Sequence, residues 1–440
     1  MRLITTTRWA ALAALLGVWL ASPFAVGAEI RTWTNLKGQT IKAELLAVEG
    51  EYVRLRTDAG KDYRIERKTL SAGDQRYLVE FGGAAEVAID PKAKVDMPEK
   101  KMRFDSKTLV RRDDVFALPE GFSLEFEITE SEHFLVMSSG RVRGKDTAEL
   151  AERLWYGMNF QHPGFAEKWG DKKKPIFLCG SEEDYSTLGR YYIAQMNAAA
   201  QRAQQQGLRE AAENYASQAR SSAMTWNQVS GATIRLDDET CDKYNVMSSA
   251  RVFKAWDKRL WRSGVWNPFP THCLAGDVLR VQMGGGNSTG IEGFFAITGG
   301  HSYFKEIQLT GETVTSMVDT AGSQDDEVVK AGGFDDGQKW ARTLRSLVKK
   351  EKITPTLAEL YRVTGPGDLT PETTVLMYSL AQYMQSTPDR LAKFSKFMER
   401  VDQSNGRIPS KQEFARIFGF EAADELEADW IEYIKSTAFK

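Results

Sequence analysis

The stretch THCLAGDVLR, residues 271–280, carries part of a pattern that zinc hydrolases use. Such enzymes need three protein ligands, an open position for water and a general base. A helix supplies two ligands as His residues at i and i+4, with Glu at i+1 beside the metal-bound water. Here His272 occupies the first position, but Cys273 stands at the Glu position and Gly276 at the second His position. The spacing therefore predicts a helix that has lost zinc chemistry.

Neighbouring residues do not restore that chemistry. Asp277 lies at i+5, off the helix face that positions i and i+4 share. The spacing of His301 fits no zinc motif. Cys273 and His272 are adjacent, so on a helix their side chains point about 100° apart and make a weak nucleophile–base pair. A single His at the start of a helix is more often a hydrogen-bonded core residue than a ligand. We therefore expect no catalytic residue, no metal ligand and no cofactor.

The region from residue 107 to 440 has to position these residues, and its order of elements resembles the peptidase MA-like, gluzincin-type proteins. The resemblance rests on the strand HFLVMSS, the helix AELAERLWYGM, the strand KPIFLCGSEEDY, and a helical tail ending FARIFGF and LEADWIEYI. In that family a Trp-x-x-Glu-Gly segment gives the third zinc ligand, and Glu292-Gly293 matches it. The resemblance implies an α+β domain with a helical C-terminal half, in which His272 and Glu292 are vestigial.

A cleft that has lost catalysis could still bind. Phe294, Phe295 and the Gly284–Gly290 loop would then line a groove for an extended peptide, and His301 is a further binding candidate. The alternative is that the cleft has filled in, because Cys273, Ala275 and Gly276 are small enough for helices to close over the site. The sequence leaves both interpretations open.

Residues 29–81 form a separate unit of short strands that alternate with period two, separated by turns. Ser71 is a predicted helix N-cap with Asp74 at N3. The predicted core consists of Trp33, Ile41, Leu45, Val53, Leu55, Tyr63, Ile65 and Leu70. The segments RTWT, G-x-x-I-x-A-E-L-L, V-x-L-x-x-x-x-G-K and I-x-x-x-x-L-S-x-x-D-Q-x-Y resemble the Sla homology domain one. That resemblance implies a small SH3-like barrel that binds peptides or adaptors.

The ends of these two units indicate how the chain is organised. Residues 1–28 combine a basic start, an apolar run and a small-residue ending, which predicts a signal peptide. The same run is near 20 residues, long enough for a membrane anchor if it is not cleaved. Residues 82–106 lose all periodicity and predict a linker. We therefore expect an exported protein that is periplasmic, in the cell envelope or extracellular.

Composition narrows the function. The net charge of −2 and a pI near 6.2 provide no global basic field for nucleic acid. The three cysteines allow either one disulfide with a free thiol or three thiols. The predicted function is a non-catalytic protein-binding or scaffolding protein, a pseudo-metallopeptidase with a protein or peptide ligand. The competing class is an active hydrolase, using Cys273 or a metallopeptidase site that has rearranged around zinc.

Overall fold

The computed structural model describes residues 30–80, 95, 97–118, 121–284, 290–314, 334 and 337–440. The predicted signal segment therefore lies outside the described residues, as do most of the predicted linker and positions 285–289 of the predicted groove loop. The chain is an α+β protein, with an N-terminal four-stranded antiparallel sheet followed by a mixed sheet and many helices. None of the described helices is both long and apolar enough to cross a membrane.

The N-terminal sheet is a meander in which each strand pairs with the next. Its elements are β1 (Ile30–Thr34), β2 (Thr40–Glu49), β3 (Tyr52–Thr57), β4 (Asp62–Glu66) and α1 (Ala72–Glu80). The sheet order is β1-β2-β3-β4, so within the described residues the sheet is open and does not close into a barrel. Ser71 caps α1 as predicted, because its Oγ accepts a hydrogen bond from the Asp74 amide at 3.0 Å.

The core of this unit largely matches the prediction. Buried side chains are Trp33, Ala43, Leu45, Val53, Leu55, Leu70 and Leu78. Ile41 and Ile65 are only partly buried against this cluster, and Tyr63 is half-buried outside it. The indole of Trp33 donates a hydrogen bond to the Ala43 carbonyl at 2.9 Å, which satisfies its polar atom inside the core.

The larger body is built on a six-stranded sheet in the order β5-β6-β7-β8-β10-β9. The strands are β5 (Val110–Ala117), β6 (Glu125–Glu130), β7 (Phe134–Ser138), β8 (Lys174–Cys179), β9 (Gly231–Arg235) and β10 (Ser249–Lys254). The central strands β7, β8 and β10 are parallel, whereas β5, β6 and β9 pair antiparallel. Because β7 and β8 are buried on both faces, they are continuous apolar runs.

Helices cover both faces of this sheet. Their bounds, in chain order, are α2 (Pro98–Lys101), α3 (Lys145–Gln161), α4 (Phe165–Trp169), α5 (Glu182–Gln205), α6 (Arg209–Thr225), α7 (Asp238–Tyr244), α8 (Pro268–Gln282) and α9 (Phe294–Thr310). One face packs against α3, α8 and α9, and the other against α5 and α6. The α5–α6 hairpin turns at Gly207, whose φ of 76° lies in the left-handed region that favours glycine.

The C-terminal part is helical, as predicted. It comprises α10 (Trp340–Lys349), α11 (Leu357–Arg362), α12 (Pro371–Met384), α13 (Pro388–Gln403), α14 (Lys411–Ile417) and α15 (Ala423–Lys435). Helix α12 lies against α9 so closely that a Cβ added at Gly300 would come within 2.3 Å of the Met377 carbonyl oxygen. This contact fixes α9 from the side opposite the sheet.

Part of the predicted linker is packed into the larger body. Glu99 on α2 is buried, and its carboxylate lies 2.6 Å from Nζ of the buried Lys305 on α9. The N-terminal unit also contacts that body, because Asn159 on α3 donates a hydrogen bond to Thr34 Oγ1 at 2.7 Å. The first contact ties the predicted linker to α9, and the second holds the N-terminal unit on α3. The three cysteines are all free thiols.

Candidate functional site

The candidate site lies in a hairpin of two antiparallel helices, α8 and α9. Pro268 occupies the first helical position of α8, where its missing N–H costs nothing. Almost every side chain of α8 is buried, so the helix is predicted correctly but is not an exposed wall of a cleft. The register of the hairpin is set by two contacts, His272 with Glu306 and Gly276 with Ser302.

His272 is a buried, paired histidine. Its Nδ1 lies 3.0 Å from Glu306 Oε2, and both side chains are at most 6% exposed. The ring of Tyr303 meets the imidazole edge-on with centroids 4.6 Å apart. The second oxygen of Glu306 accepts a hydrogen bond from the Val314 amide at 2.9 Å. The imidazole is therefore oriented by a carboxylate and an aromatic ring.

The position of the second zinc ligand is closed by packing. A Cβ added at Gly276 would lie 2.5 Å from Ser302 Oγ, far inside normal contact distance. Ser302 in turn donates a hydrogen bond to the Thr298 carbonyl at 3.0 Å, which holds its hydroxyl against α8. A side chain at position 276 would therefore force the Ser302 hydroxyl out of its hydrogen bond with Thr298, so this point of the hairpin is closed by packing.

Glu292 does not join His272, contrary to the two-residue vestigial set that the sequence predicts. It lies exposed in the turn before α9. Residue 306, which does contact His272, is 12 residues beyond the start of α9 at Phe294. At 1.5 Å per residue this separation is about 18 Å along the helix. The antiparallel hairpin therefore places Glu292 and His272 at opposite ends.

A buried charge cluster lies on the side of α8 that faces the sheet. Asp277 accepts a hydrogen bond from Arg251 Nε at 2.9 Å and one from Arg280 Nη1 at 2.6 Å. Burial by itself would raise the pKa of Asp277, but the charges of Arg251 and Lys174 hold that pKa well below its usual value. Lys174, the first residue of β8, has its pKa lowered by burial and donates to the Ser249 carbonyl at 3.1 Å. The carboxylate therefore balances the buried Arg251.

Cys273 is poorly suited to nucleophilic chemistry. Burial raises the pKa of its thiol to about 12, although the charge of Arg251 opposes that shift. The thiolate is the reactive form of cysteine, so a raised pKa makes the group inert near neutral pH. Its neighbour His272 is already paired with Glu306. The arrangement offers no nucleophile–base pair at this point.

The predicted groove residues are placed in the core. Phe294 is fully buried, Phe295 is 6% exposed and His301 is 1% exposed. His301 Nδ1 lies 3.2 Å from Gln385 Nε2 on α12, and burial lowers its pKa well below the ordinary value. In this arrangement these three side chains do not face solvent, since they pack between helices. The described geometry matches the filled-in cleft rather than the open groove.

Two further histidines were expected to be structural. His162 is buried with Nδ1 2.7 Å from Ser395 Oγ. His133 has an acidic neighbour, since its Nδ1 lies 2.8 Å from Glu152, and its ring stacks on Trp155 with centroids 3.6 Å apart. The carboxylate was not recognised because it comes from α3, 19 positions along the chain. Both histidines act as packing and hydrogen-bonding groups.

Sequence reasoning missed Glu306, Arg251 and Lys174. The available signal was a charged residue inside an apolar segment: Arg251 in SARVFK and Lys174 in KPIFLC. A buried charge requires a counter-charge nearby, which would have pointed to Asp277 on the apolar helix. No local signal pairs His272 with Glu306, because the two residues are 34 positions apart and the sequence does not fix where the turn between their helices begins and ends.

Comparison with known proteins does not extend this description. No family model matches the chain, and neither the curated proteins nor the solved structures contain a match. Among the residues that the structure describes, no group of three or more His, Cys, Asp or Glu side chains is arranged to hold a metal ion. The candidate site is therefore defined by its own geometry alone.

Proposed function

We propose that this chain is an exported, non-catalytic protein-binding or scaffolding protein, in which a peptidase-like body has lost its zinc chemistry. The observation that carries the proposal is the closure of the α8–α9 hairpin at Gly276 against Ser302. Pairing of His272 with Glu306 supports it, because the one remaining imidazole of the motif is already committed. The export part of the proposal rests on residues 1–28 of the sequence alone.

The N-terminal unit is the binding module in this proposal. Its four-stranded meander followed by α1 is compatible with the SH3-like fold that the Sla homology resemblance implies. The edge strand β1 contacts the larger body through the Asn159–Thr34 hydrogen bond and through the Thr32 amide, which donates to Glu167 at 3.3 Å. The opposite edge strand, β4, pairs with no further strand among the described residues and is the edge that a ligand would use. An extended peptide that adds to such an edge gains main-chain hydrogen bonds. The larger body then acts as the support that presents this module.

The metal content of the purified full-length protein tests the loss of zinc chemistry. We expect no stoichiometric zinc by elemental analysis, because Gly276 provides no ligand and Glu292 lies far from His272. Substoichiometric, non-specific metal should be unaffected by His272→Asn. His133→Asn is the matched control, since that imidazole also pairs with a carboxylate but belongs to another part of the fold.

A bound zinc ion or a cysteine-dependent hydrolase activity would contradict the proposal. About one zinc per chain, abolished by His272→Asn but retained in His133→Asn, would establish a rearranged metal site and overturn the proposal. Hydrolysis of unfolded casein that is blocked by thiol alkylation and lost in Cys273→Ser would overturn it in favour of the cysteine hydrolase. Circular dichroism of each variant verifies that lost activity is not lost folding.

A further inference from the structure

The larger body has an open cavity away from the α8–α9 contacts described above. It lies where the chain leaves the carboxyl ends of the parallel strands β7 and β10, between the segment after β7 and the segment that leads into α8. Crossovers from β7 and β8 run to opposite faces, through α3 and α5. Ligand sites in open α/β sheets favour this end of the strands. The cavity volume is about 330 Å³, the size of a small-ligand site.

Asn267 gives the cavity a polar anchor. This residue lines the cavity, is 3% exposed and directly precedes α8. Its Nδ2 donates to the Arg262 carbonyl at 2.7 Å, which fixes the amide orientation because a carbonyl can only accept. Its Oδ1 is buried without a hydrogen-bond partner among the described residues, and it does not cap the helix. A buried acceptor of this kind costs free energy unless a donor reaches it.

Pro270 removes one of the two N–H groups that would normally donate to that oxygen, and the remaining one, of Phe269, does not donate to it. An Asn before a helix normally accepts a hydrogen bond from the second or third helical N–H. In α8 the first and third residues are Pro268 and Pro270, which carry no N–H. The start of the 15-residue helix still directs the positive end of its dipole towards the cavity. The N-terminus therefore offers positive potential together with a free acceptor.

Two arginines supply the charge. Arg141 and Arg143 line the cavity, are exposed, and form no ion pair or hydrogen bond with the described residues. A third guanidinium in the lining, Arg262, is already paired with Glu312. Asp146 is the carboxylate in the lining, and it accepts a hydrogen bond from the Gly264 amide at 3.2 Å. The lining therefore carries two guanidinium groups without an ion pair, on the segment after β7, against the single carboxylate of Asp146.

Thr147 and Ser263 also line the cavity, and its apolar side chains include Val142, Leu150, Val265 and the half-buried Trp261. A bare inorganic anion would leave these side chains unused. A ligand that fits all three features carries a carboxylate, an adjacent N–H donor and an apolar group. We propose that this cavity binds the C-terminal residue of a peptide: the α-carboxylate contacts Arg141 and Arg143, the amide N–H donates to Asn267 Oδ1, and the side chain packs on Trp261.

Calorimetry on the full-length protein tests this assignment with four probes. N-acetyl-glycyl-leucine carries all three features, its C-terminal amide lacks the carboxylate, free leucine lacks the acylated N–H, and inorganic phosphate is an anion alone. We expect N-acetyl-glycyl-leucine to bind and its amide to bind at least about tenfold more weakly, since hydrogen bonds to a charged group contribute this much. Arg141→Gln with Arg143→Gln should reduce binding of the acid by a similar factor.

The matched control is Arg259→Gln. Arg259 lies on the segment that leads into α8, pairs with Asp257 and does not line the cavity, so this variant should bind like the parent protein. Equal binding of the acid and the amide, absence of binding, or equal binding by free leucine would overturn the assignment to a peptide C-terminus. Binding of phosphate without the dipeptide would also overturn it. None of these outcomes depends on whether the hairpin binds zinc, so the two proposals fail separately.

Discussion

The α8–α9 hairpin and the cavity at the start of α8 are neighbours with opposite properties. In the hairpin the small residue Gly276 lies against Ser302, and His272 and Asp277 are each paired with an opposite or complementary group. In the cavity, Arg141 lacks a counter-charge and Asn267 lacks a donor among the described residues. The internal pairing in the hairpin indicates a region whose polar groups contribute to the stability of the fold. Unpaired polar groups around a void indicate a region that can still gain from a ligand.

This contrast changes where function should be sought. The sequence directs attention to THCLAGDVLR because its residues match part of a known motif. In the structure His272 is paired with Glu306, and Gly276 packs against Ser302. The open polar cavity lies instead at the start of the same helix, around Asn267. The following predictions test whether the hairpin is as closed, and the cavity as open, as this comparison requires.

Removing the carboxylate of Asp277 should have the largest effect. Asp277→Ala leaves Arg251 buried beside Lys174 without a counter-charge, and breaking a buried ion pair in this way costs about 3–5 kcal/mol. Urea unfolding monitored by circular dichroism measures the loss. Glu432→Ala, which removes an exposed partner of Lys435, is the control and should leave stability nearly unchanged. A small effect at Asp277 would mean that water reaches the cluster and that the hairpin is open.

Filling position 276 tests closure directly. Gly276→Phe should overpack the contact with Ser302 and reduce the free energy of unfolding by about 1–3 kcal/mol or more. Gly367→Ala is the control, because a Cβ there meets nothing within 4 Å and its φ is not in the left-handed region. If Gly276→Phe unfolds at the same urea concentration as the parent protein, the retained groove for an extended peptide becomes the better interpretation.

Two buried histidines, His301 on α9 and His162 after α3, make the stability of the protein depend on pH. Burial, together with the positive charges of Lys305 and, for His162, Arg76, lowers the pKa of His162 and His301 well below 6.5. Below that pH the unfolded chain binds protons that the folded chain does not. Stability is therefore full above pH 6.5 and falls as the pH decreases, by up to about 1.4 kcal/mol per unit for each histidine.

The pH dependence is measured from urea midpoints between pH 7 and pH 5, a window above the range in which carboxylates titrate. The double variant His162→Gln, His301→Gln should show a smaller slope than the parent protein over this window. An unchanged slope in the double variant would show that these two imidazoles are hydrated in the folded state, which would contradict a closed core around α9.

Local rules predicted much of the fold and little of the site. Ser71 is predicted as an N-cap because a cap contacts a residue three positions along the chain, and its Oγ accepts the expected hydrogen bond from the Asp74 amide at 3.0 Å. The His272–Glu306 pair and the Asn267 cavity depend on how distant segments meet. Their register is decided by side-chain packing between helices, which no single stretch of sequence contains. Glu292 was misplaced for the same reason.

Substitution of the two arginines that line the cavity should have the smallest effect on the free energy of unfolding. Arg141→Ala and Arg143→Ala remove exposed side chains that have no partner among the described residues, so each should change the free energy of unfolding by no more than about 0.5 kcal/mol. A gain in stability at low salt would fit best, since two unpaired guanidinium groups beside the positive end of α8 repel one another and the helix dipole. The measurement is urea unfolding at low and high salt, with Arg259→Ala as the paired-arginine control. A loss above about 1 kcal/mol would show that these arginines hold the segment after β7 in place, and the cavity would then belong, like the hairpin, to the scaffold.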